Sequence, residues 1–408
     1  MLMSELEFME KYGDIYNDEM ARYKSYVDDP SILRRKVDLV DKERDLSEIN
    51  KPYADMFSHE MTYARGFVEY PERLKNYIVA KNEPKAELRS FYPYIMDIEP
   101  NARCNFRCIM CQVSEWDKMS RGADDMTYDE LVAFIEENPY FAEVKLHGMG
   151  EPLINKDFFR MTKFMSDRHI WVRTTTNGSL LHIKDNYKKL IDAEIGEVQC
   201  SVDGATKEIF EKIRRGSNFE QIVKNLTDLN NYANSKDRPY TRMWVLAQKD
   251  NRHQMLEFID LAAKMNFKRV SFAMSLNDWG QEEWNDKNKS LQSQWELSED
   301  EWNQMYKKAK TYGINLTIWR QGESYSTESV EKLCPWPFER PFVSTEFKMV
   351  PCCMISNPDV LELGDAKNMK EVWNGKEYRT FRKAHLDGDI PHNCRYCYGM
   401  EYRIDGDS

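Results

Sequence analysis

No stretch of this chain approaches the roughly 20 consecutive apolar residues that a membrane-spanning helix needs, so no membrane partner is expected. The opening residues Met1-Leu2-Met3-Ser4-Glu5-Leu6-Glu7 lack the basic region and apolar core of a secretory signal, and a cytoplasmic protein is expected. Positive charge is in deficit: 58 Lys and Arg face 69 Asp and Glu, a formal net charge of −11. Broad nucleic-acid binding rests on Lys and Arg neutralising phosphates, so this balance argues against it. What remains, 41% hydrophobic and 31% charged residues, is the composition of a soluble globular protein. At 408 residues the chain is long enough for two or three modules, taking about 150 residues per domain.

Cysteine is what the chain has. Nine are present, and in a reducing compartment clustered thiols bind metal more often than they form disulfides. Cys104, Cys108 and Cys111 stand at CxxxCxxC spacing just after the apolar run 92–98. Three thiolates on one short loop suit an iron–sulfur cluster, and a four-iron cluster so held keeps one iron open to a small molecule. The competing reading is a structural zinc knuckle, which needs a fourth Cys or His close by. The next histidine is His147.

Residues 1–90 read as charged, weakly amphipathic helices, for instance over 14–26 and 32–46, punctuated by Pro30, Pro52, Pro71 and Pro84. This helical N-terminal extension either packs as a solvated layer on the outside of the main domain or serves as a substrate lid or dimer contact. From residue 91 short apolar runs alternate with helical segments, the βα rhythm of a parallel sheet. Six strands are expected, at 92–98, 143–147, 170–175, 197–202, 243–247 and 270–274. Helices are expected between them at 127–137, 156–167, 186–193, 219–232 and 254–265, the first opened by the capping box Thr127-Tyr128-Asp129-Glu130. Six such units make an α/β fold, a partial (β/α)6 barrel of the TIM type. These folds keep their active sites at the C-terminal ends of the strands, where the cysteine loop falls.

On that loop the chain resembles the radical S-adenosylmethionine superfamily. The resemblance implies that the open iron chelates the amino and carboxylate groups of S-adenosylmethionine. An electron from the [4Fe-4S] cluster then cleaves it to a 5′-deoxyadenosyl radical that abstracts a hydrogen atom. Met110 stands where the family has an aromatic packed on the adenine, a contact a thioether can also make. His147-Gly148-Met149-Gly150-Glu151-Pro152 resembles the family's Gly-Gly-Glu-Pro segment, which implies that Gly148, Gly150 and Glu151 hold the cofactor's amino group. Asn177, in the Asn-Gly turn after Thr174-Thr175-Thr176, is grouped with these cofactor-binding candidates. Cys200-Ser201-Val202-Asp203-Gly204 is similar to the family's Ser-x-Asp-Gly segment and puts Ser201 or Asp203 on the ribose. In Ile213-Arg214-Arg215-Gly216, Arg215 is assigned to the methionyl carboxylate through its planar fork. Cys200 reads by default as a buried inert thiol, with a chemical role as the alternative.

After the sixth strand, Asn277-Asp278-Trp279-Gly280-Gln281-Glu282-Glu283-Trp284 and on to Trp295 sets Trp faces beside polar groups. Such a segment suits a sugar, or is a surface loop with Trp anchors in the core. The last hundred residues hold Cys334, Cys352-Cys353 and Cys394-Arg395-Tyr396-Cys397, with a hairpin expected over 341–351 and a helix over 369–385. This region resembles the SPASM and twitch extensions of the same superfamily through Val350-Pro351-Cys352-Cys353, Leu363-Gly364-Asp365, Glu371-Val372-Trp373-Asn374-Gly375, Arg382 and the closing CxxC. A full SPASM domain with two clusters needs more thiols than the five present. One auxiliary [4Fe-4S] cluster is therefore expected on Cys334, Cys352, Cys394 and Cys397, the competing reading being a zinc ribbon. Cys353 is then spare, either a packing residue or a hydrogen donor.

The expected organisation is an N-terminal extension over 1–90, a barrel over 91–300 and a SPASM or twitch module over 301–408. The resemblance implies a radical S-adenosylmethionine oxidoreductase or epimerase, with an external electron donor such as flavodoxin or ferredoxin. If the auxiliary cluster takes the substrate's electron the outcome is oxidation; if Cys353 or Cys200 donates hydrogen it is epimerisation. The Trp-rich segment favours a small carbohydrate-like or other polar substrate. The alternatives are a peptide-modifying maturase and, from another class, a non-catalytic iron–sulfur or zinc structural protein.

Overall fold

Charged and apolar residues alternate along the strands, and the alternation decides which face of the sheet each occupies. The computed structural model describes residues 3–43, 52–116, 124–238, 240–293, 296–319 and 325–401. Four helices come first: α1 Glu5–Asp28, α2 Pro30–Glu43, α3 Met56–Glu69 and α4 Pro71–Asn82. One sheet then contains ten strands: β1 Ile95–Ile98, β2 Glu143–Leu146, β3 Trp171–Thr176, β4 Glu197–Ser201, β5 Thr241–Leu246, β6 Arg269–Ala273, β7 Asn315–Trp319, β8 Phe342–Val343, β9 Lys348–Val350 and β10 Gly364–Asp365. Their spatial order is β10-β9-β8-β1-β2-β3-β4-β5-β6-β7. Strands β1 to β7 run parallel, β8 joins β1 in parallel, and β9 and β10 are antiparallel additions.

All six expected strands are present, and β7 adds a seventh parallel strand paired with β6 from Arg269↔Asn315 to Ala273↔Trp319. It lies in the stretch that the sequence reading gave to the C-terminal module. The helices between strands, α5 Tyr128–Glu137, α6 Phe158–Ser166, α7 Asn186–Asp192, α8 Lys207–Ile213, α9 Phe219–Ser235 and α10 Met255–Lys264, follow the expected rhythm. Thr127 caps α5 as its sequence predicts, its hydroxyl accepting from Glu130 N at 3.3 Å while the Glu130 carboxylate accepts from Thr127 N at 2.9 Å. Val144, Val172, Val198, Val245, Phe272 and Ile318 form the apolar face that the helices cover, with Phe272 against Phe258 of α10 at 5.9 Å between ring centroids. Each such side chain contributes about 1.5–3 kcal/mol on burial.

The other face is charged and lines the barrel lumen. Asp97 lies opposite Lys145, Lys145 opposite Arg173, and Arg173 opposite Glu197. Charges removed from water need partners, and Arg173 pairs with Glu143 at 2.5 Å while Arg242 pairs with Glu197 at 2.7 Å and donates to Ser271 Oγ at 3.0 Å. The N-terminal helices close the lower end of this lumen. Asp55 caps α3 through Ser58 N at 2.9 Å and pairs with Arg269 at 3.0 Å, and His59 and Tyr63 each reach Glu143 Oε2 at 3.4 Å. The extension is thus a floor under the first residues of the strands, at the end opposite the cysteine loop, where a lid over the mouth cannot sit.

Beyond the barrel come α11 Glu282–Leu291, α12 Glu299–Thr311, α13 Trp336–Glu339, α14 Met369–Val372 and α15 Lys376–Leu386. The expected hairpin is β8–β9, and the helix expected over 369–385 is two helices broken at 373–375. The break buries Trp373, whose Nε1 donates to Phe91 O at 2.8 Å and whose ring lies 4.1 Å from the Arg382 guanidinium. No helix of the described residues is long and apolar enough to cross a membrane.

Candidate active site

The cysteine loop leaves the C-terminal end of β1 and is held by a two-residue antiparallel ladder in which Arg107 faces Arg215 and Cys108 faces Arg214. Alternation on this ladder separates the two arginines. Arg215 is exposed, whereas Arg214 is buried, donates to Cys108 Sγ at 3.9 Å and pairs with Asp203 at 2.6 Å. The side chain turned toward the thiols is therefore Arg214, and Arg215, assigned from the sequence to the methionyl carboxylate, lies on the exposed side of the ladder. Asp203, fully buried, also accepts from Leu246 N at 2.8 Å, so its carboxylate is committed to fixing Arg214 and β5.

The three thiols lie close enough to raise one another's pKa. Burial pushes Cys104 up to about 12, with Glu151 and Cys108 adding to it, and pushes Cys111 up to about 12, with Cys108 and Cys104 adding to it. Burial raises Cys108 too, against the pull of Arg214. Three thiols that resist ionisation together are a donor set short of positive charge, which the irons of a cluster would supply. Cys104 Sγ accepts from Phe106 N at 3.4 Å and from Asn177 Nδ2 at 3.9 Å, so Asn177, whose Nδ2 also donates to Asn105 at 3.0 Å, closes the loop from the end of β3.

The turn after β2 is packed by protein on its inner side. A Cβ at Gly148 would fall 2.5 Å from Glu99 Oε1, and one at Gly150 would fall 2.5 Å from Arg103 O. Glu99 accepts from Met149 N at 2.8 Å. Glu151 accepts from Thr176 Oγ1 at 2.6 Å, Asn177 N at 2.7 Å and Leu153 N at 3.3 Å. Burial nevertheless raises its pKa to about 7. Its carboxylate thus staples this turn to the end of β3. Met110 is buried in the main core; Ser201 ends β4, opposite Trp244 of β5. Cys200 is fully buried between Thr176 and Met243 on the helix-facing side of the sheet, with burial raising its thiol well above the usual range. It does not meet the lumen, which separates it from the hydrogen-donor role.

The second thiol set gathers from three segments. Burial raises Cys334, Cys352, Cys394 and Cys397, and the next contribution comes from one another: Cys352 acts on Cys334, Cys352 with Cys334 on Cys394, and Cys334 on Cys397. Cys352 is raised further by Cys353 and then by Cys397. Cys334 N donates to the Tyr398 hydroxyl at 2.8 Å. Cys353 itself turns to the lumen, where Asp97, His147 and its sulfur bring one ligand atom each within 4.8 Å of one another. Burial and Asp97 push its thiol up to about 11, against Lys145 and Arg340.

The Trp-rich segment is occupied in joining the two sites. Asn277 donates to Met354 O at 3.0 Å, Asn393 to Gly280 O at 2.8 Å and Tyr396 to Leu276 O at 2.9 Å. Gln281 reaches Gln112 at 3.4 Å, and Gln112, the residue after Cys111, reaches Met149 Sδ at 3.6 Å. Trp284 is buried and Trp295 lies outside the described residues. Sequence reasoning missed Glu99, Gln112, Arg214 and the lumen charges; only the strand alternation signalled the last of these.

A family model described as "Radical SAM superfamily" matches residues 98–262, and one described as "Iron-sulfur cluster-binding domain" (SPASM) matches 334–398, together more than half of the chain. Among curated relatives, the mycofactocin maturase MftC of Mycolicibacterium smegmatis is 25% identical over 205 residues, 50% of this chain and 50% of the relative. The GTP 3′,8-cyclase of Nautilia profundicola is 29% identical over 140 residues, 32% of this chain and 42% of the relative. The chain spans about half the length of these curated relatives. Among solved structures, Streptococcus suis SuiB bound to its precursor peptide SuiA aligns with a TM-score of 0.55 at 14% identity, over 86% of this chain and 79% of SuiB, a likeness of fold. The chain belongs to the radical S-adenosylmethionine superfamily and carries a C-terminal SPASM-type iron–sulfur cluster-binding domain.

Proposed function

We propose that the chain is a peptide-modifying maturase that uses S-adenosylmethionine to abstract a hydrogen atom from its substrate. The observation that carries the reading is the trio Cys104, Cys108 and Cys111 on one loop at the C-terminal end of β1, Cys108 buried and the other two half-buried, with no His, Asp or Glu grouped with them among the described residues. A four-iron cluster on these thiols would supply the electron that cleaves S-adenosylmethionine to methionine and the 5′-deoxyadenosyl radical. The chain's own groups hold the surroundings: Arg214 and Asn177 donate to sulfurs that would ligate the cluster, and Glu151 and Glu99 fix the turn after β2. The four thiols of the C-terminal module suit one auxiliary cluster.

A peptide takes precedence over the sugar expected from the Trp-rich segment because that segment is consumed in packing between barrel and module. The name of the MftC relative supports the maturase class. Cys353, the only lumen-facing thiol outside both ligand sets among the described residues, is the hydrogen donor if the product is an epimer. The protein works in a reducing cytoplasm with flavodoxin or ferredoxin as donor. The test is anaerobic incubation of reconstituted enzyme with dithionite, S-adenosylmethionine and any short precursor peptide encoded beside it. Release of 5′-deoxyadenosine with a modified peptide is expected; release accelerated by sugars and indifferent to the peptide contradicts the reading.

A further inference from the structure

We infer that the barrel lumen holds a carboxylate of the substrate on Lys145, beside Arg340 and Arg173. This rests on the hydrogen-abstracting function proposed above and names the chemistry its substrate carries. Lys145 stands on β2 in register with Asp97 on one side and Arg173 on the other, two residues before His147 and three before the turn that begins at Gly148. It is thus one layer below the cysteine loop's end of the barrel, where a reacting carbon must come.

Its neighbours are matched in charge. Asp97 accepts from Arg340 Nε at 2.9 Å and from His147 Nε2 at 2.8 Å; Arg173 has Glu143 at 2.5 Å, Arg242 has Glu197 at 2.7 Å, and Arg269 has Asp55 at 3.0 Å. Lys145 Nζ has no hydrogen bond or ion pair among the described residues. Among the described residues the carboxylates of this lumen are Asp55, Asp97, Glu143, Glu197 and, one layer above, Glu99, whose oxygens are taken by Met149 N and Thr345 N; of the cations Lys145, Arg173, Arg242, Arg269 and Arg340, only Lys145 is without a hydrogen-bonded carboxylate among them. A half-buried ammonium without a hydrogen-bonded counter-ion is unfavourable; burial lowers its pKa, Asp97 and Cys353 draw it back up, and Arg173 and Arg340 add to the lowering.

The trio Asp97, His147 and Cys353 would suit a metal by distance alone. Arg340 already holds Asp97 Oδ1, and Lys145 adds a second positive charge, so the field here draws an anion rather than a divalent cation. One ammonium without a hydrogen-bonded counter-ion matches a single carboxylate rather than a phosphate dianion. That carboxylate belongs either to a peptide side chain or terminus or to a small free acid.

The test uses holoenzyme with both clusters reconstituted and S-adenosylmethionine bound, titrated by calorimetry. The probes are N-acetyl-glutamate N-methylamide, its glutamine counterpart and butyrate. Wild type should bind the glutamate probe on the order of tenfold or more tightly than the neutral glutamine probe. Lys145→Met should erase the difference, and Lys145→Arg should keep part of it, with iron content checked for each. Binding of the glutamate probe assigns the carboxylate to a peptide, and binding of butyrate alone assigns it to a small acid; both support the site. Equal binding of acid and amide by wild type, no binding of either acid, or a Lys145→Met protein that keeps the preference overturns it. Release of 5′-deoxyadenosine by the same wild-type preparation under dithionite is measured separately. Its absence contradicts the proposed function, whereas its presence with no acid preference contradicts the carboxylate site alone.

Discussion

The two thiol sets differ in how the chain assembles them. Cys104, Cys108 and Cys111 come from one loop of eight residues at a strand end, and the groups that touch them reach in from nearby, Asn177 from the end of β3 and Arg214 from the ladder after α8. Cys334, Cys352, Cys394 and Cys397 come from segments up to 63 positions apart, with Cys352 just past the hairpin β8–β9 and Cys334 N donating to the Tyr398 hydroxyl. A local loop with three thiols would leave a corner of a four-iron cluster for a small molecule, whereas four thiols from distant segments would enclose all four corners. The comparison teaches that openness here is a matter of chain topology, since the thiols themselves are alike in burial.

The comparison breaks most visibly when the loop is removed. Wild-type protein should bind about eight irons, and the Cys104→Ala, Cys108→Ala, Cys111→Ala triple variant should keep about four while forming no 5′-deoxyadenosine, measured by iron analysis and chromatography. On the other side, Cys352→Ala should lose the auxiliary irons while Cys353→Ala keeps the full content. If Cys353→Ala cleaves S-adenosylmethionine yet fails to invert substrate with solvent deuterium incorporated, the hydrogen-donor role stands; unchanged product at a normal rate removes it.

A smaller effect distinguishes the two arginines of the loop ladder. Arg214→Met strands the fully buried Asp203 and should destabilise the fold by about 3–5 kcal/mol in denaturant titrations, whereas Arg215→Met on the exposed side should change stability by only about 0.5 kcal/mol. The smallest concerns His147. Burial, then Lys145, lowers its pKa to about 4, so the native state binds fewer protons than the unfolded chain between there and the usual 6.5. Stability is present above that window and falls as pH drops through it, by about 2 kcal/mol from pH 6.5 to pH 5. His147→Gln should flatten that part of the profile.

Much of this was legible in the sequence. The cysteine spacing, the βα rhythm and the capping box at Thr127 are local signals, and the six strands and five helices read from them stand where expected. What the sequence hid is pairing. Arg214 and Arg215 are adjacent and chemically identical, and only the ladder with Cys108 decides which turns inward. Asn315–Trp319 has no flanking signal that ties it to β6, so it read as part of the last module. The charges at 143, 145, 173, 197, 242 and 269 sit in short strands that register as apolar runs because their alternate residues are Val, Leu, Met or Phe. The Trp-rich segment read two ways because aromatic and polar residues side by side serve a sugar and an internal interface equally well.

The most direct test is electron paramagnetic resonance of the dithionite-reduced protein with and without S-adenosylmethionine, in wild type and in the triple loop variant. The wild-type spectrum should change on adding S-adenosylmethionine, and the cluster left in the triple variant should give a spectrum that does not respond. A remaining cluster that shifts with S-adenosylmethionine would place the open iron in the C-terminal module and contradict the division of roles between the two thiol sets.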